Sequence, residues 1–196
     1  INAGQSCIAA KRIIVEAEIY DHFVELLLNR LKKLQMGDPL QPSTDIGPIA
    51  RKDLQLNLHR QVEDTVAAGA KCLLGGELPD TDGFFYPVTL LTEVTPTMCA
   101  FREETFGPIM AVIKAEDHEH ALEMANDTEY GLVAYVHSQD PRRIYRASRA
   151  LCFGMVAVNR TKVTGAPIPF GGTKQSGIGR EGSRLGLEAF TEVKYV

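Results

Sequence analysis

Residues 12–34, RIIVEAEIYDHFVELLLNRLKKL, predict a β-strand followed directly by an amphipathic helix. Arg12 to Val15 is a compact β-branched run, which is typical of a strand. From Ile19 onward the apolar residues recur at helical spacing, and they are Ile19, Phe23, Leu26, Leu27, Leu31 and Leu34. Gly37-Asp38-Pro39 then ends the helix. A strand that leads into a helix of this kind is the repeating element of an α/β fold.

The same alternation continues on both sides of this segment. A short helix is predicted at 9–11, entered from Asn2 or Ser6. Further helices are predicted at about 52–68, 118–126 and 141–150, and strands at 71–74, 84–91, 109–114, 133–137 and 155–158. Helices that alternate with short β-branched runs favour a mostly parallel sheet with helices on both faces.

Composition and charge restrict the possible partners. The chain has 196 residues, with 21 Lys+Arg against 25 Asp+Glu and a net charge of −4, and the basic residues never form a long run. We therefore expect neither nucleic acid nor a membrane as a partner. Four cysteines without a C-x-x-C pair fit a reducing, cytoplasmic location. Because the chain opens on Ile1 without Met, we expect it to be part of a longer protein.

The first candidate for chemistry is Cys7 in the stretch INAGQSC. A thiol in the first turn of a helix lies at the positive end of the helix dipole, which favours the nucleophilic thiolate. Free backbone N–H groups there could also hold an oxyanion. The alternative is that the cysteine only fills space, which is our interpretation of Cys72, Cys99 and Cys152.

The second candidate is the stretch FREETFGP at 101–108. The carboxylates of Glu103 and Glu104 could accept hydrogen bonds from ribose hydroxyls, and Phe106 could pack on a flat heterocycle. The alternative is a solvated acidic surface.

The third candidate is the glycine-rich stretch PFGGTKQSGIGREG at 169–182. Residues 177–182 fit G-x-G-x-x-G, but no strand precedes them and the chain ends before the required acidic residue, so we reject a dinucleotide fingerprint. The glycines instead favour close backbone approaches in an ordered loop. His118-Glu119-His120 lacks the i, i+4 spacing of helical metal ligands, and we predict no metal site.

Taken together, the three stretches resemble the aldehyde dehydrogenase superfamily. INAGQSC with a basic residue five positions after the cysteine is similar to its nucleophile signature, EETFGP to its cofactor-ribose signature, and PFGGTKQSGIGREGSRLGLEAFTEVKYV to its C-terminal signature. NDTEYGLVAYVHSQD and FGMVAVN also match, so the resemblance covers the chain from end to end. Within the superfamily the succinate-semialdehyde dehydrogenase group is the most similar.

The resemblance implies a covalent mechanism. Cys7 would attack an aldehyde to give a thiohemiacetal, hydride would pass to a nicotinamide, and water would hydrolyse the resulting thioester. The backbone N–H of Cys7 would form half of the oxyanion hole. Glu104 would bind the nicotinamide ribose, and Phe106 would lie beside the nicotinamide. Whether the cofactor is NAD or NADP stays open.

The resemblance also implies a domain organisation. Residues 1–190 would form the catalytic domain, and 191–196 a strand that contacts another subunit in a homodimer or homotetramer. In this family the dinucleotide-binding domain, the general base and the second oxyanion donor precede the nucleophile, and none of them can be in this chain. We therefore expect the isolated chain to be inactive.

The substrate is implied less directly. Succinate-semialdehyde dehydrogenases carry an Arg at the position of Ile1, so the substrate carboxylate needs another partner. The resemblance places substrate contacts in and after the loop 160–168, at Arg160, Lys162, Thr164, Gly165 and Phe170. A small semialdehyde, with succinate semialdehyde first, is the expected substrate. A different aldehyde and a thiol-bearing scaffold without dehydrogenase activity remain as alternatives.

Overall fold

The computed structural model describes residues 2–196, which fold into two compact units. The first unit ends at Ala121 and the second begins at Leu122, within a helix. Ile1 lies outside the described residues, and so does the prediction made for that position.

The first unit is built on a four-stranded sheet. Its elements are β1 (Arg12–Glu16), α1 (Ala17–Leu31), α2 (Lys52–Ala67), β2 (Lys71–Leu74), β3 (Thr89–Thr92), α3 (Cys99–Arg102) and β4 (Ile109–Ala115). The strand order is β1-β4-β3-β2. β4 pairs in parallel with β1 and β3, and β2 pairs antiparallel to β3 at one edge. The predicted mostly parallel α/β architecture is confirmed.

Helix α1 packs its buried side on this sheet. The cluster beneath it contains Val15, Tyr20, Leu31, Val88, Leu90 and Val112. Tyr20 is buried and its hydroxyl accepts a hydrogen bond from the backbone N–H of Glu93 at 3.1 Å. Ile19 and Leu26, in contrast, are each 56% exposed, so the predicted apolar stripe is wrong at these two positions. An aromatic ring with a satisfied hydroxyl takes the core position that the periodicity gave to Ile19.

Helix α2 is joined by hydrogen bonds to α3 and to the segment that follows it. The Thr65 hydroxyl donates to the Gln61 carbonyl at 2.6 Å and accepts from the backbone N–H of Ala100 at 3.0 Å. The Gln61 amide donates to the Glu104 carbonyl at 3.1 Å. These bonds, which are buried or partly buried, fix the start of the stretch EETFGP against α2.

The second unit contains a parallel strand pair connected by a helix. It includes the end of α4 (His118–Asn126), followed by β5 (Val133–Val136), α5 (Pro141–Ala150) and β6 (Met155–Val158). β5 and β6 pair in parallel. Asp140 caps α5 by accepting from the backbone N–H of Arg142 at 2.8 Å, with Pro141 in the first turn. Leu122, Ala147 and Leu151 form the buried cluster of this unit.

Two local predictions are wrong. Residues 9–11 are not helical, and the strand predicted over 84–91 is reduced to β3, since residues 84–88 have no regular structure. The tail 191–196 has no regular secondary structure in the described chain. None of the helices within residues 2–196 combines the length and the apolar character needed to span a membrane.

Candidate active site

Cys7 lies in a turn rather than at the start of a helix. A 3-10 turn over Asn2–Gly4 precedes it, and positive φ angles occur at Asn2 (52°), Ala3 (51°) and Gly4 (73°). Cys7 itself is exposed and not bonded to another cysteine. The predicted helix and its dipole are therefore absent here, because the turn leads within a few residues into strand β1 at Arg12.

The side chain of Gln5 holds this turn. Its amide nitrogen donates to the Asn2 carbonyl at 3.2 Å and to the Pro48 carbonyl at 3.1 Å. Its amide oxygen accepts from the backbone N–H of Ala50 at 2.9 Å. One side chain thus ties the turn before Cys7 to the loop that precedes α2.

A close backbone contact joins the turn to the stretch EETFGP. A Cβ at Gly4 would lie 2.2 Å from the Gly107 carbonyl oxygen, and a Cβ at Gly107 would lie 2.4 Å from the Leu58 side chain. At Gly4 a side chain would have to displace backbone, whereas at Gly107 it would have to displace the Leu58 side chain. The structure therefore brings the predicted nucleophile and the predicted cofactor segment together.

The two adjacent carboxylates have different environments. Glu103 forms an ion pair with Arg60 at 2.6 Å and accepts from the Gln61 amide at 3.0 Å. The Arg60 guanidinium, followed by Gln61, holds the pKa of the Glu103 carboxyl below its usual value. Glu104 is exposed, and among residues 2–196 its carboxylate has no hydrogen-bond partner. Glu104 is thus the carboxylate that is available to a ligand.

Phe106 borders an open groove with a volume of about 570 Å³. The ring is 37% exposed. The groove is lined mainly by apolar side chains together with two residues of the turn, and its lining includes Asn2, Gln5, Ile49, Phe84, Phe85 and Phe106. An exposed carboxylate at Glu104 and an accessible ring at Phe106 fit a ribose and a flat heterocycle, so these residues suit the nicotinamide end of NAD(P).

Lys11 is a component of the site that the sequence analysis missed. Its ammonium group donates to the Gly4 carbonyl at 2.7 Å and lies 4.6 Å from the centroid of the Phe106 ring. Burial lowers the pKa of the Lys11 ammonium, while the negative charges of Glu104 and Cys7 act in the opposite direction. The signal available in the sequence was a lysine placed among small residues, four positions after Cys7.

The predicted substrate residues lie in the second unit. Arg160, Lys162, Thr164 and Gly165 are exposed in an irregular loop, and Phe170 is half-buried. Phe170 exchanges two backbone hydrogen bonds with Glu181, at 2.9 and 2.8 Å. These five residues belong to one loop region of that unit, and their role in binding stays a prediction.

The predicted close backbone contacts of the glycine-rich stretch are confirmed. A Cβ at Gly154 would lie 2.0 Å from the Gly171 carbonyl oxygen, and a Cβ at Gly171 would lie 2.6 Å from the Gly179 carbonyl oxygen. The Arg180 guanidinium donates to the Gly172 carbonyl at 2.7 Å and closes the loop.

The other cysteines do not fill a core. Cys72 and Cys152 are exposed and Cys99 is half-buried, so the packing interpretation is wrong for the first two. The reason for Cys72 is that β2 lies at the edge of its sheet, with most of its side chains exposed. Within the described residues no group of three or more His, Cys, Asp or Glu side chains could hold a metal ion.

Comparison with known proteins places the chain in a family. The sequence profile of the aldehyde dehydrogenase family matches residues 1–196. A succinate semialdehyde dehydrogenase of Escherichia coli, whose name gives NAD(P)+ as the cofactor, is 46% identical over 195 residues, which is 100% of this chain and 42% of that protein.

A second relative and a solved structure agree with this match. A non-phosphorylating aspartate-semialdehyde dehydrogenase of Halomonas elongata is 45% identical over 98% of this chain and 39% of its own length. The crystal structure of an NADP-dependent enzyme from E. coli superposes with a TM-score of 0.95 at 36% identity, over 99% of this chain and 40% of that one. The chain spans about two fifths of the length of the relatives it matches. From its first to its last residue, then, the chain belongs to the aldehyde dehydrogenase family.

Proposed function

We propose that this chain supplies the nucleophile-bearing part of an NAD(P)-dependent dehydrogenase that oxidises a small semialdehyde to the carboxylate. The observation that carries the proposal is the exposed thiol of Cys7 on a turn that is locked against the segment of Glu104 and Phe106. A nucleophile and groups suited to a nicotinamide nucleoside on two contacting segments are what the reaction requires.

In the proposed mechanism the Cys7 thiolate forms a C–S bond to the aldehyde carbon, and the carbonyl electrons move to the oxygen. The backbone N–H of Cys7 stabilises that oxyanion. NAD(P)+, when bound, would accept the hydride from the same carbon, and the oxyanion electrons would re-form the carbonyl as a thioester on Cys7. Water then cleaves the thioester and returns the Cys7 thiol. Glu104 would hold the ribose hydroxyls of this cofactor, and Phe106 would pack beside its nicotinamide.

We propose a carboxylate-bearing semialdehyde as the substrate. The names of two relatives support this, since succinate semialdehyde and aspartate semialdehyde both carry a carboxylate. Arg160 and Lys162, both exposed cations, would contact it, with Thr164, Gly165 and Phe170 lining the loop. We further propose that the protein is a cytoplasmic homo-oligomer that binds neither nucleic acid nor membrane. Its catalytic domain would span 1–190, and its subunit contact would lie at 191–196.

The test uses the full-length protein that contains this chain, with succinate semialdehyde and either NAD+ or NADP+. Formation of NAD(P)H, followed at its absorbance, is expected in the parent. Cys7→Ala is expected to reduce the rate by several orders of magnitude, as loss of a covalent nucleophile does, whereas Cys72→Ala, another exposed cysteine, serves as the matched control and is expected to retain activity.

The alternative functions make different predictions. A dehydrogenase for another aldehyde would produce NAD(P)H with uncharged aldehydes at least as fast as with succinate semialdehyde. A scaffold without activity would give none with any aldehyde, and iodoacetamide would not label Cys7 ahead of the other cysteines.

A further inference from the structure

The ammonium group of Lys11 is fixed at the point where the two segments of the site meet. Its bond of 2.7 Å goes to Gly4, on the turn of Cys7, and the ring 4.6 Å from it belongs to Phe106, on the segment of Glu104. A lysine side chain on a surface normally keeps its ammonium group in water. Here the group is half-buried between a carbonyl oxygen and an aromatic face, which both attract a cation.

The charges that act on the Lys11 ammonium are negative. Glu104 and Cys7 both interact electrostatically with the Lys11 ammonium, and each favours its positive form. The neighbouring Arg12 guanidinium is directed elsewhere, 4.7 Å from the ring centroid of Phe101. Of these two basic residues, Lys11 is thus the one whose charge acts on Cys7 and Glu104.

We propose that Lys11 is a positioning residue of the Cys7 site. Its ammonium group ties the turn of Cys7 to the segment of Glu104 and Phe106, and its charge attracts the thiolate of Cys7. The first role fixes the position of the nucleophile relative to the cofactor-binding groups. The second role makes the Cys7 sulfur more reactive toward an electrophile. The inference rests on the proposed function only in taking Cys7 as the nucleophile.

The test measures the rate at which iodoacetamide alkylates Cys7 in the full-length protein, resolved by peptide mass spectrometry, with no aldehyde or cofactor present. Lys11→Gln keeps a donor for the Gly4 carbonyl and removes the charge, Lys11→Met removes both, and Lys11→Arg keeps both. We expect Gln and Met to slow the alkylation of Cys7 by about five- to tenfold and Arg to stay within about twofold of the parent. Cys72 and Cys152 in the same molecules are internal controls whose rates should not change.

The positioning role has its own readout. Dehydrogenase assays of the folded variants should show a raised KM for NAD(P)+ in Lys11→Met beyond that in Lys11→Gln, because only Met loses the bond to Gly4. Alkylation of Cys7 at the parental rate in Lys11→Gln would overturn the inference, as would a Lys11→Arg variant as slow as Lys11→Gln. If the parent produces no NAD(P)H, the proposed function fails, while the alkylation rates still decide the role of Lys11.

Discussion

The backbone of Gly4 lies against the carbonyl group of Gly107, so closely that a Cβ at Gly4 would be 2.2 Å from the Gly107 oxygen. This contact joins two stretches that are far apart in the sequence, and it sets the position of the turn that carries Cys7. The proposed site, with its nucleophile on one stretch and its cofactor-binding groups on the other, depends on this contact.

Gly4→Ala is therefore expected to damage both stability and activity. A side chain there must displace backbone and adopt a φ of +73°, which together should lower the free energy of unfolding by roughly 2 kcal/mol or more. Gly177→Ala is the matched control, since Gly177 also has a positive φ of 108° but nothing lies within 4 Å of its added Cβ. Urea unfolding measures both. Equal losses in the two variants would mean that the contact with Gly107 does not matter.

Glu103 and Glu104 should respond differently to the same substitution. Glu104→Gln should leave stability unchanged and reduce kcat, because a misplaced cofactor can cost roughly 100-fold in rate. Glu103→Gln should instead lower stability, since it breaks the ion pair with Arg60. Steady-state kinetics and urea unfolding of both variants test the prediction. An unchanged kcat in Glu104→Gln would mean that the Glu104 carboxylate is only part of a solvated surface and binds no cofactor.

The ion pair of Glu103 should also make stability depend on pH. Because the pKa of Glu103 is lower in the folded protein than its ordinary value of 4.5, its contribution is present above that value and is lost as the pH falls through the folded-state pKa. The difference in unfolding free energy between the parent and Glu103→Gln should therefore be largest near neutral pH and shrink as the pH falls below 4.5. A difference that stays constant over this range would contradict the assignment.

The preference for a charged over an uncharged aldehyde tests whether the loop 160–168 binds the substrate carboxylate. One charge-assisted hydrogen bond from Arg160 or Lys162 would contribute about 1.5–3 kcal/mol, so succinate semialdehyde should exceed butyraldehyde by roughly 10- to 100-fold in kcat/KM. Arg160→Ala or Lys162→Ala should reduce that preference. A parent without any preference would remove the semialdehyde assignment, and a preference that survives both substitutions would place the anion site elsewhere.

The C-terminal tail is expected to contact another subunit. Val193, Tyr195 and Val196 are almost fully exposed, and a β-prone segment of this kind can pair with a strand of another chain. Sedimentation of the full-length protein should show a dimer or tetramer, and deletion of 191–196 should shift it toward the monomer. An unchanged oligomeric state after the deletion would show that the tail is not the contact.

The sequence by itself determined the elements whose signals are local. The bounds of α4, α5 and β6 agree with those predicted, because each depends on the residue types within the element. For α5, Pro141 in the first turn adds a second local signal. The motif stretches likewise identified the family, because the order of residue types along the chain is enough for that.

The tertiary structure alone decided how the candidate site is assembled. The left-handed turn before Cys7, the pairing of Glu103 but not Glu104, and the placement of Lys11 against Phe106 all depend on residues distant in sequence. No local pattern predicts which of two adjacent carboxylates forms an ion pair with Arg60, or which lysine becomes half-buried. Those outcomes follow from packing of β4, α2 and the turn against one another, where burial and charge are set by neighbours that the chain brings together only on folding.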